Sequence, residues 1–323
     1  MKMFKTVDEQ INLLRSRGLV IVDEEKTKLY LLTNNYYNII NGYGKFFPRH
    51  NENYTNRTSF DEISRLYLLD KNIKQSMFQA ILAAESHMKS IFAYRFAESF
   101  QDNPYAYLST DSYNSGKILS VVHTIYKLSG TIKCYQKIHG SSIRHYVNEH
   151  GNVPIWVLVN YLNFGELRAM ITSVNTSLQN KVAKDFFSFV CRHIDNPTIF
   201  TPEIMISFIE NINDVRNVCA HNNRLIDFQC KRDSKYWSSL HDGHGISSNS
   251  PRNNVFSVFV SLKCFLSVME YGTMHNKILK EFKRMENKLH SVAINDILGK
   301  YGFPDGWHNS TKKINTNKFV LDE

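Results

Sequence analysis

The chain has 323 residues, of which 42% are hydrophobic, so it can bury a sizeable core, and disorder is excluded for most of its length. Lysine and arginine outnumber aspartate and glutamate by 39 to 30, and the formal net charge of +9 favours a polyanionic partner. No apolar run reaches the ~18 residues of a membrane span, and the N-terminus lacks the apolar segment of a signal peptide. We therefore expect a cytoplasmic protein with no membrane partner.

Helical periodicity dominates the sequence and predicts an all-α fold. The predicted helices cover residues 8–17, 24–41, 59–100, 116–138, 141–149, 154–174, 178–191, 202–222, 254–270, 274–289 and 292–300. The longest of them is expected to break or bend. Residues 231–253, with their glycines and serines, are predicted to form a loop. This loop would follow a helical domain of residues 1–230 and precede C-terminal helices and a basic tail at 254–323, packed on the same domain.

The helix predicted over residues 59–100 carries a carboxylate inside its apolar stripe. The stripe consists of Met77, Phe78, Ile81, Met88 and Phe92. Glu85 falls about 40° from Ile81 at ~100° per residue, and a buried carboxylate needs a partner. We expect Glu85 to hold Arg216 in position, with Lys89 one turn further on. In the alternative, a kink in the long helix turns Glu85 to solvent.

Residues 216–221, RNVCAH, place an arginine and a histidine near the end of a predicted helix. Arg216 keeps its charge, whereas His221 can transfer a proton near neutral pH. Phosphodiester cleavage needs both a fixed cation and an acid/base group. Asn217 and His221 share a helix face, but Arg216 lies on the apolar side, about 40° from Ile212. The alternative is a buried arginine in a structural ion pair beside a solvated histidine.

The predicted loop and its flank hold the one cluster of metal-ligand residue types in the sequence, Cys230, His241, Asp242 and His244. The cluster lacks the paired CxxC or HxxxH spacing of zinc sites, so we expect no metal and no other cofactor. The five cysteines are scattered and odd in number, which excludes a disulfide framework. No P-loop, GxGxxG or GxSxG motif is present, which disfavours ATP-driven chemistry and hydrolase chemistry of that type.

A basic face follows in the helix predicted over residues 274–289. Its cations are Lys277, Lys280, Arg284 and Lys288. The adjoining apolar stripe consists of Ile278, Phe282, Met285 and Leu289. The helix would pack by one stripe and present four positive charges on the other. Such a face is either a solvated surface or a phosphate track for structured RNA.

Six segments, taken together and in order, resemble the Abi-like family of bacterial abortive-infection proteins (the AbiD/AbiF group), whose catalytic part belongs to the HEPN superfamily. They are residues 8–19 (DEQINLLRSRGL), 36–43 (YYNIINGY), 60–63 (FDEI) with Leu66, Tyr67 and Asp70, 85–90 (ESHMKS), 154–158 (PIWVL) with 163–167 (NFGEL), and 216–225 (RNVCAHNNRL). Lys89 departs from the arginine that the family usually has. The resemblance spans roughly residues 5–230. It implies a HEPN-like helical bundle, to which N- and C-terminal helices are added.

The resemblance also implies an activity. Proteins of this superfamily with such a motif are generally metal-independent endoribonucleases, and they usually dimerise so that two motifs face one cleft. The ribose 2′-OH then attacks the adjacent phosphate, which leaves a 2′,3′-cyclic phosphate and a 5′-OH. By this resemblance His221 is the general acid/base, Arg216 stabilises the developing charge, and Asn217 orients the histidine or a phosphate oxygen. Glu85 and Lys89 would support them.

The expected function is therefore that of an anti-phage abortive-infection effector, or toxin, that cleaves RNA as a homodimer. The RNA partner can be a substrate or a structured non-coding RNA antitoxin, and Arg224 is expected to contact RNA together with the basic face. A non-catalytic RNA-binding protein that keeps the HEPN scaffold is the alternative. The intact pair of Arg216 and His221 favours the enzyme.

Overall fold

The computed structural model describes residues 3–316, and α-helices form nearly all of their regular structure, which confirms the predicted all-α class. The helices are α1 (Val7–Ser16), α2 (Glu24–Asn34), α3 (Phe60–Ser99), α4 (Ile118–Tyr135), α5 (Ser142–His150), α6 (Ile155–Leu158), α7 (Phe164–Ser173), α8 (Thr176–His193), α9 (Pro202–Ala220), α10 (Ser238–His241), α11 (Val255–Ser261), α12 (Val268–Glu286), α13 (Ile294–Tyr301) and α14 (Trp307–Ser310). One antiparallel hairpin pairs β1 (Arg49–His50) with β2 (Asn53–Tyr54).

Helix α3 is the central element of the fold. It begins with a capping box, in which the Ser59 side chain accepts from the Glu62 backbone N–H and the Glu62 carboxylate accepts from the Ser59 N–H. The helix runs unbroken for 40 residues. The expected break or bend is therefore wrong as to the break, since the sequence between the helix ends contains neither glycine nor proline, while a bend stays a prediction.

The C-terminal helices pack on the same core as the rest of the chain. Helix α12 runs antiparallel along α3: Asn72 Nδ2 donates to Glu281 Oε2 at 2.7 Å, and His87 Nε2 lies 3.0 Å from Glu270 Oε2. A single cluster of buried apolar side chains extends along the chain from Ile11 to residue 307. Helices α8 and α9 also pack on α3. Within residues 3–316, no helix combines the length and apolarity needed to cross a membrane.

Two of the predicted helices are interrupted where a new cap begins. The helix predicted over 154–174 stops and starts again at Asn163, and the one predicted over 254–270 gives way to α12 at Ser267. Each cap residue is followed three positions later by a glutamate that completes a capping box. Such a box satisfies the free amide groups of a helix start, so it divides a stretch whose apolar periodicity is otherwise continuous.

The remaining differences lie in connections. Asn35 has a left-handed backbone (φ 55), which ends α2 inside the helix predicted over 24–41. The predicted loop at 231–253 contains the short helix α10. Of the predicted basic tail, residues 317–323 lie outside the described residues.

Candidate active site

Helix α9 carries the arginine–histidine motif at its C-terminal end. Thr201 caps the helix by accepting from the Ile204 N–H, and proline occupies the first helical position, where its missing N–H costs nothing. The buried stripe includes Met205, Phe208, Ile209, Ile212 and Val215, all with no exposed surface. This packing fixes the rotation of the helix, so that Arg216 is half-buried whereas Asn217 and His221 are exposed.

The three motif side chains have no hydrogen-bond or ion-pair partner among the residues that the structure describes. The Arg216 Nε atom is buried without a hydrogen-bond acceptor. Across residues 3–316, the side chains of Arg216, Asn217 and His221 make no hydrogen bond and no ion pair. His221 is the C-terminal cap residue, and only its backbone N–H bonds, to the Asn217 carbonyl at 3.1 Å. A guanidinium, an amide and an imidazole are thus left free at one helix end.

Charged residues close to the motif are paired, in contrast to Arg216. Asp214 lies 3.7 Å from the Lys231 ammonium and accepts from the Lys231 backbone N–H. Lys74 donates to Asn222 Oδ1 at 2.9 Å and to the Asn223 carbonyl at 3.1 Å. Among these charged residues, Arg216 therefore differs in being unpaired within residues 3–316. The alternative interpretation, in which Arg216 forms a structural ion pair, would require a carboxylate next to it.

Glu85 does not pair directly with Arg216. It is buried, with 6% of its surface exposed, so it does not turn to solvent as the kinked alternative required. Lys89 Nζ lies 2.9 Å from its Oε1 atom, one turn along the same helix. Its Oε2 atom is buried and unpartnered within the part of the chain that the structure describes. Lys89, which was also predicted to lie here, is thus the cation in direct contact with this carboxylate.

Asp70, a residue of the family resemblance to which the sequence assigned no role, is a buried carboxylate next to the segment that follows the motif. Asp70 of α3 is fully buried and accepts hydrogen bonds from the Tyr43 and Tyr301 hydroxyls at 2.7 and 2.8 Å. Burial, followed by the neighbouring Asp70 charge, raises the pKa of both tyrosines well above the usual range, so both remain protonated donors. Asp70 thereby joins α3 to the N-terminal segment and to α13.

Asp70 also anchors the segment that follows His221. The Leu225 and Ile226 backbone N–H groups donate to the two Asp70 carboxylate oxygens at 3.1 and 2.8 Å. Lys74 Nζ lies 3.5 Å from the same carboxylate and also holds Asn222 and the next residue. The signal available in the sequence was an aspartate and a lysine four residues apart on the buried side of a long helix.

Arg224, which was predicted to contact RNA, has structural contacts. It is half-buried, and its Nη1 and Nε donate to the carbonyls of Gly42 at 2.9 Å and Ile226 at 3.3 Å. Its guanidinium carbon lies 5.5 Å from the centre of the Phe46 ring. These contacts tie the segment after the motif to the N-terminal part of the fold, and contact with RNA stays a prediction.

The basic face on α12 has the predicted arrangement. Ile278, Phe282, Met285 and Leu289 are buried, which confirms the apolar stripe. Its four cations are exposed, namely Lys277, Lys280, Arg284 and Lys288. Lys288 lies just beyond the helix end, and Arg284 Nη1 is 3.7 Å from Glu281 Oε1. The face is therefore accessible to a polyanion, and RNA binding there stays a prediction.

The cysteine and histidines of the loop are used in packing. No group of three or more His, Cys, Asp or Glu side chains in residues 3–316 could hold a metal ion. The Cys230 thiol lies 3.7 Å from the Asn211 carbonyl, and the His241 Nδ1 accepts from the Trp237 N–H at 2.9 Å. Burial lowers the pKa of His241 to about 4 and that of His244 to about 3, so both are neutral near pH 7.

Comparisons with known proteins bear on this arrangement. A family model described as Abi-like protein matches residues 29–227, more than half of the chain. The match lies within the region 5–230 that carries the motif resemblance, and it includes Arg216, Asn217 and His221. The searches of curated proteins and of solved structures gave no match. The chain belongs to the family of Abi-like proteins, which associates it with abortive infection.

Proposed function

We propose that the protein is a metal-independent endoribonuclease of the HEPN type and that it acts as an abortive-infection effector. The observation that carries the proposal is the free state of the three motif side chains at the end of α9. Leaving a buried guanidinium nitrogen unpaired costs stability. A functional role explains why this unfavourable arrangement is present. The unpaired Arg216 can bind a phosphate, and the exposed His221 at the same helix end can transfer a proton.

The reaction uses each of these groups in turn. The 2′-oxygen of the ribose attacks the adjacent phosphorus and loses its proton, and the bond from phosphorus to the 5′-oxygen breaks as that oxygen gains a proton. Arg216 binds the charge that develops on the phosphate oxygens. His221 transfers protons, and Asn217, one turn before it, orients the imidazole or a phosphate oxygen. The products are a 2′,3′-cyclic phosphate and a 5′-OH.

A homodimer completes this scheme. The reaction needs one group to accept a proton and another to donate one, and within residues 3–316 no side chain hydrogen-bonds to the His221 imidazole. Two protomers that face one cleft would supply two imidazoles and two guanidinium groups. The exposure of His221 at a helix end allows such an approach. An RNA that occupies the cleft without being cut would restrain the enzyme, as a structured antitoxin RNA does.

Cleavage of total bacterial RNA in EDTA tests the proposal. We expect cuts by the wild type and none by His221→Ala, because the substitution removes the proposed proton-transfer group. The fold should stay unchanged, since the exposed imidazole makes no hydrogen bond or ion pair within residues 3–316. The matched control is His123→Ala, which removes another exposed histidine, from α4. It should cut like the wild type. The new ends are mapped for cyclic phosphate and 5′-OH.

Two results would contradict the proposal. Cleavage that survives in His221→Ala would move the active site elsewhere. Co-purifying RNA can be removed under denaturing conditions and the protein then refolded. If this protein still does not cleave RNA, the non-catalytic RNA-binding alternative is favoured. Activity that appears only after this treatment would support restraint by a bound RNA.

A further inference from the structure

A cleft of about 930 Å³ lies outside the arginine–histidine motif. Its walls are the C-terminal half of α3, the segment 100–107 and residues 152–160. Neither Arg216 nor His221 lines it, but Lys89 does. Its volume is in the range of small-molecule sites, roughly 300–1,000 Å³. The cleft is therefore large enough to enclose one or two nucleotide units.

Exposed aromatic rings line this cleft. Tyr94 on α3 is 63% exposed and Trp156 on α6 is 56% exposed. The Tyr94 ring also lies 5.1 Å from the Arg95 guanidinium carbon. Large rings that remain in water although they border a cavity lose the free energy that burial would give. They can recover it by stacking on a planar ligand.

One lining residue is held in a strained conformation. Tyr105 has a left-handed backbone, with φ 61 and ψ 23. A bulky residue in this region is strained and persists only where its surroundings fix it. Here the Tyr105 carbonyl accepts from the Leu108 N–H at 2.7 Å, and its ring packs edge-on against Tyr107 at 5.9 Å. Such strain concentrates at ligand sites.

Uncharged polar groups accompany the rings. The Ser86, Ser90 and Asn103 side chains line the cleft and have no hydrogen-bond partner within the described part of the chain. Asn160 donates from Nδ2 to the Trp156 carbonyl at 3.0 Å, which leaves its Oδ1 free to accept. Hydroxyls and amides of this kind match the donors and acceptors on the edge of a nucleobase.

The one lining carboxylate does not repel an anion strongly. Glu98 is compensated by two cations, since Arg95 Nη1 lies 3.0 Å and Lys181 Nζ 3.2 Å from its oxygens. The chain as a whole carries a formal charge of +9. An oligonucleotide strand can therefore pass this cleft without a net electrostatic penalty.

We propose that this cleft binds an unpaired nucleobase, which stacks on the exposed rings of Tyr94 and Trp156 and meets the free amide and hydroxyl groups with its edge. The inference rests on the proposed function and deepens it, because it names unpaired RNA as the substrate class. A base inside a duplex is already stacked on both faces and paired along its edge, so it cannot enter the cleft. A free mononucleotide shares the same chemistry, and the experiment separates the two sources.

Intrinsic fluorescence reports directly on this cleft. Trp237 and Trp307 are buried, with 4% and 7% of their surface exposed, so Trp156 is the indole that a ligand in water can reach. The protein is the cleavage-deficient His221→Ala, titrated with an unstructured ten-nucleotide RNA, with a duplex of the same length and with a mononucleotide. We expect quenching by the single strand, little by the duplex, and weaker binding of the mononucleotide.

Removal of one stacking surface gives the quantitative test. Tyr94→Ala should weaken binding of the single strand about 5- to 150-fold, the loss that corresponds to one base–aromatic stack. Tyr126→Ala is the matched control, because it removes a tyrosine 73% exposed on α4, outside the cleft, and should leave binding unchanged.

The outcomes separate this inference from the proposed function. If cleavage depends on His221 but the single strand does not quench Trp156, the nucleobase site is refuted and the ribonuclease stands. If quenching and the Tyr94→Ala loss are found but cleavage survives in His221→Ala, the nucleobase site stands and the assigned chemistry fails. Tighter binding of the mononucleotide than of RNA would overturn the link with an RNA substrate.

Discussion

Asp70→Ala should strongly destabilise the protein and release the segment that follows the motif. The Asp70 carboxylate is fully buried and accepts four hydrogen bonds, from Tyr43, Tyr301, Leu225 and Ile226, at 2.7 to 3.1 Å. Alanine removes the common acceptor and leaves two hydroxyls and two backbone N–H groups without it. Two of these donors belong to the chain just after His221, so the position of His221 should be affected as well.

The expected magnitude follows from the charge that the substitution leaves behind. Lys74, with 6% of its side chain exposed, lies 3.5 Å from the Asp70 carboxylate. Removing one partner of a buried ion pair typically costs about 3–5 kcal/mol, against a total stability of roughly 5–15 kcal/mol for a native protein. Lys74→Met removes the uncompensated charge. The double variant should therefore be more stable than the sum of the two single losses predicts, by about 1 kcal/mol or more.

Urea denaturation followed by circular dichroism measures these free energies of unfolding. The matched control is Asp8→Ala, which removes an exposed carboxylate 3.0 Å from Lys28 and should change stability by less than about 0.5 kcal/mol. An Asp70→Ala loss no larger than that of the control would refute the anchoring role. Strict additivity in the double variant would show that Lys74 does not depend on this carboxylate.

Arg216→Met should abolish cleavage. The free energy of unfolding should stay equal or rise by up to about 1–3 kcal/mol, because a buried Nε without an acceptor is removed. A clear loss of stability in urea would instead mean that Arg216 is a structural arginine. Burial lowers the pKa of His241 to about 4, so between about pH 6.5 and 4 the unfolded state binds more protons and stability falls as pH falls. His241→Asn should flatten that slope in a urea series, and an unchanged slope would contradict its burial. The double variant Lys280→Glu/Arg284→Glu should weaken RNA binding and reduce its dependence on salt, whereas Lys133→Glu on α4 should have less effect. If the salt dependence of RNA binding is the same in the double variant as in the wild type, the basic face on α12 is only a solvated surface.

Local signals in the sequence predicted the elements that carry the site. The helix predicted over 59–100 begins in the structure at the capping box of Ser59 and Glu62, and the helical period placed Arg216 on the apolar side of the helix predicted over 202–222. Both signals depend on residues within a few turns of one another. Their physical causes, helix capping and the 3.6-residue period, act before any long-range packing is known.

The partners of buried charges could not be predicted in this way. Periodicity predicted that Glu85 is buried and that Lys89 lies one turn from it, but the predicted pairing with Arg216, 131 residues along the chain, does not form as a direct contact. Asp70 takes its hydrogen bonds from Tyr43, from the loop after the motif and from Tyr301, which are far apart along the chain. Burial is a property of one helix face, whereas a partner depends on which other elements pack against it.

A single 2′-deoxy substitution tests the central claim most directly. A short RNA with a mapped cleavage site is compared, in EDTA, with the same strand that lacks only the 2′-OH adjacent to the scissile phosphate. The proposed role of His221 and Arg216 predicts that the all-ribose strand is cut to a cyclic phosphate and a 5′-OH, while the substituted strand binds with similar affinity and remains intact. Cleavage of the substituted strand, or products with a 3′-OH and a 5′-phosphate, would contradict attack by the 2′-OH and with it the proposed mechanism.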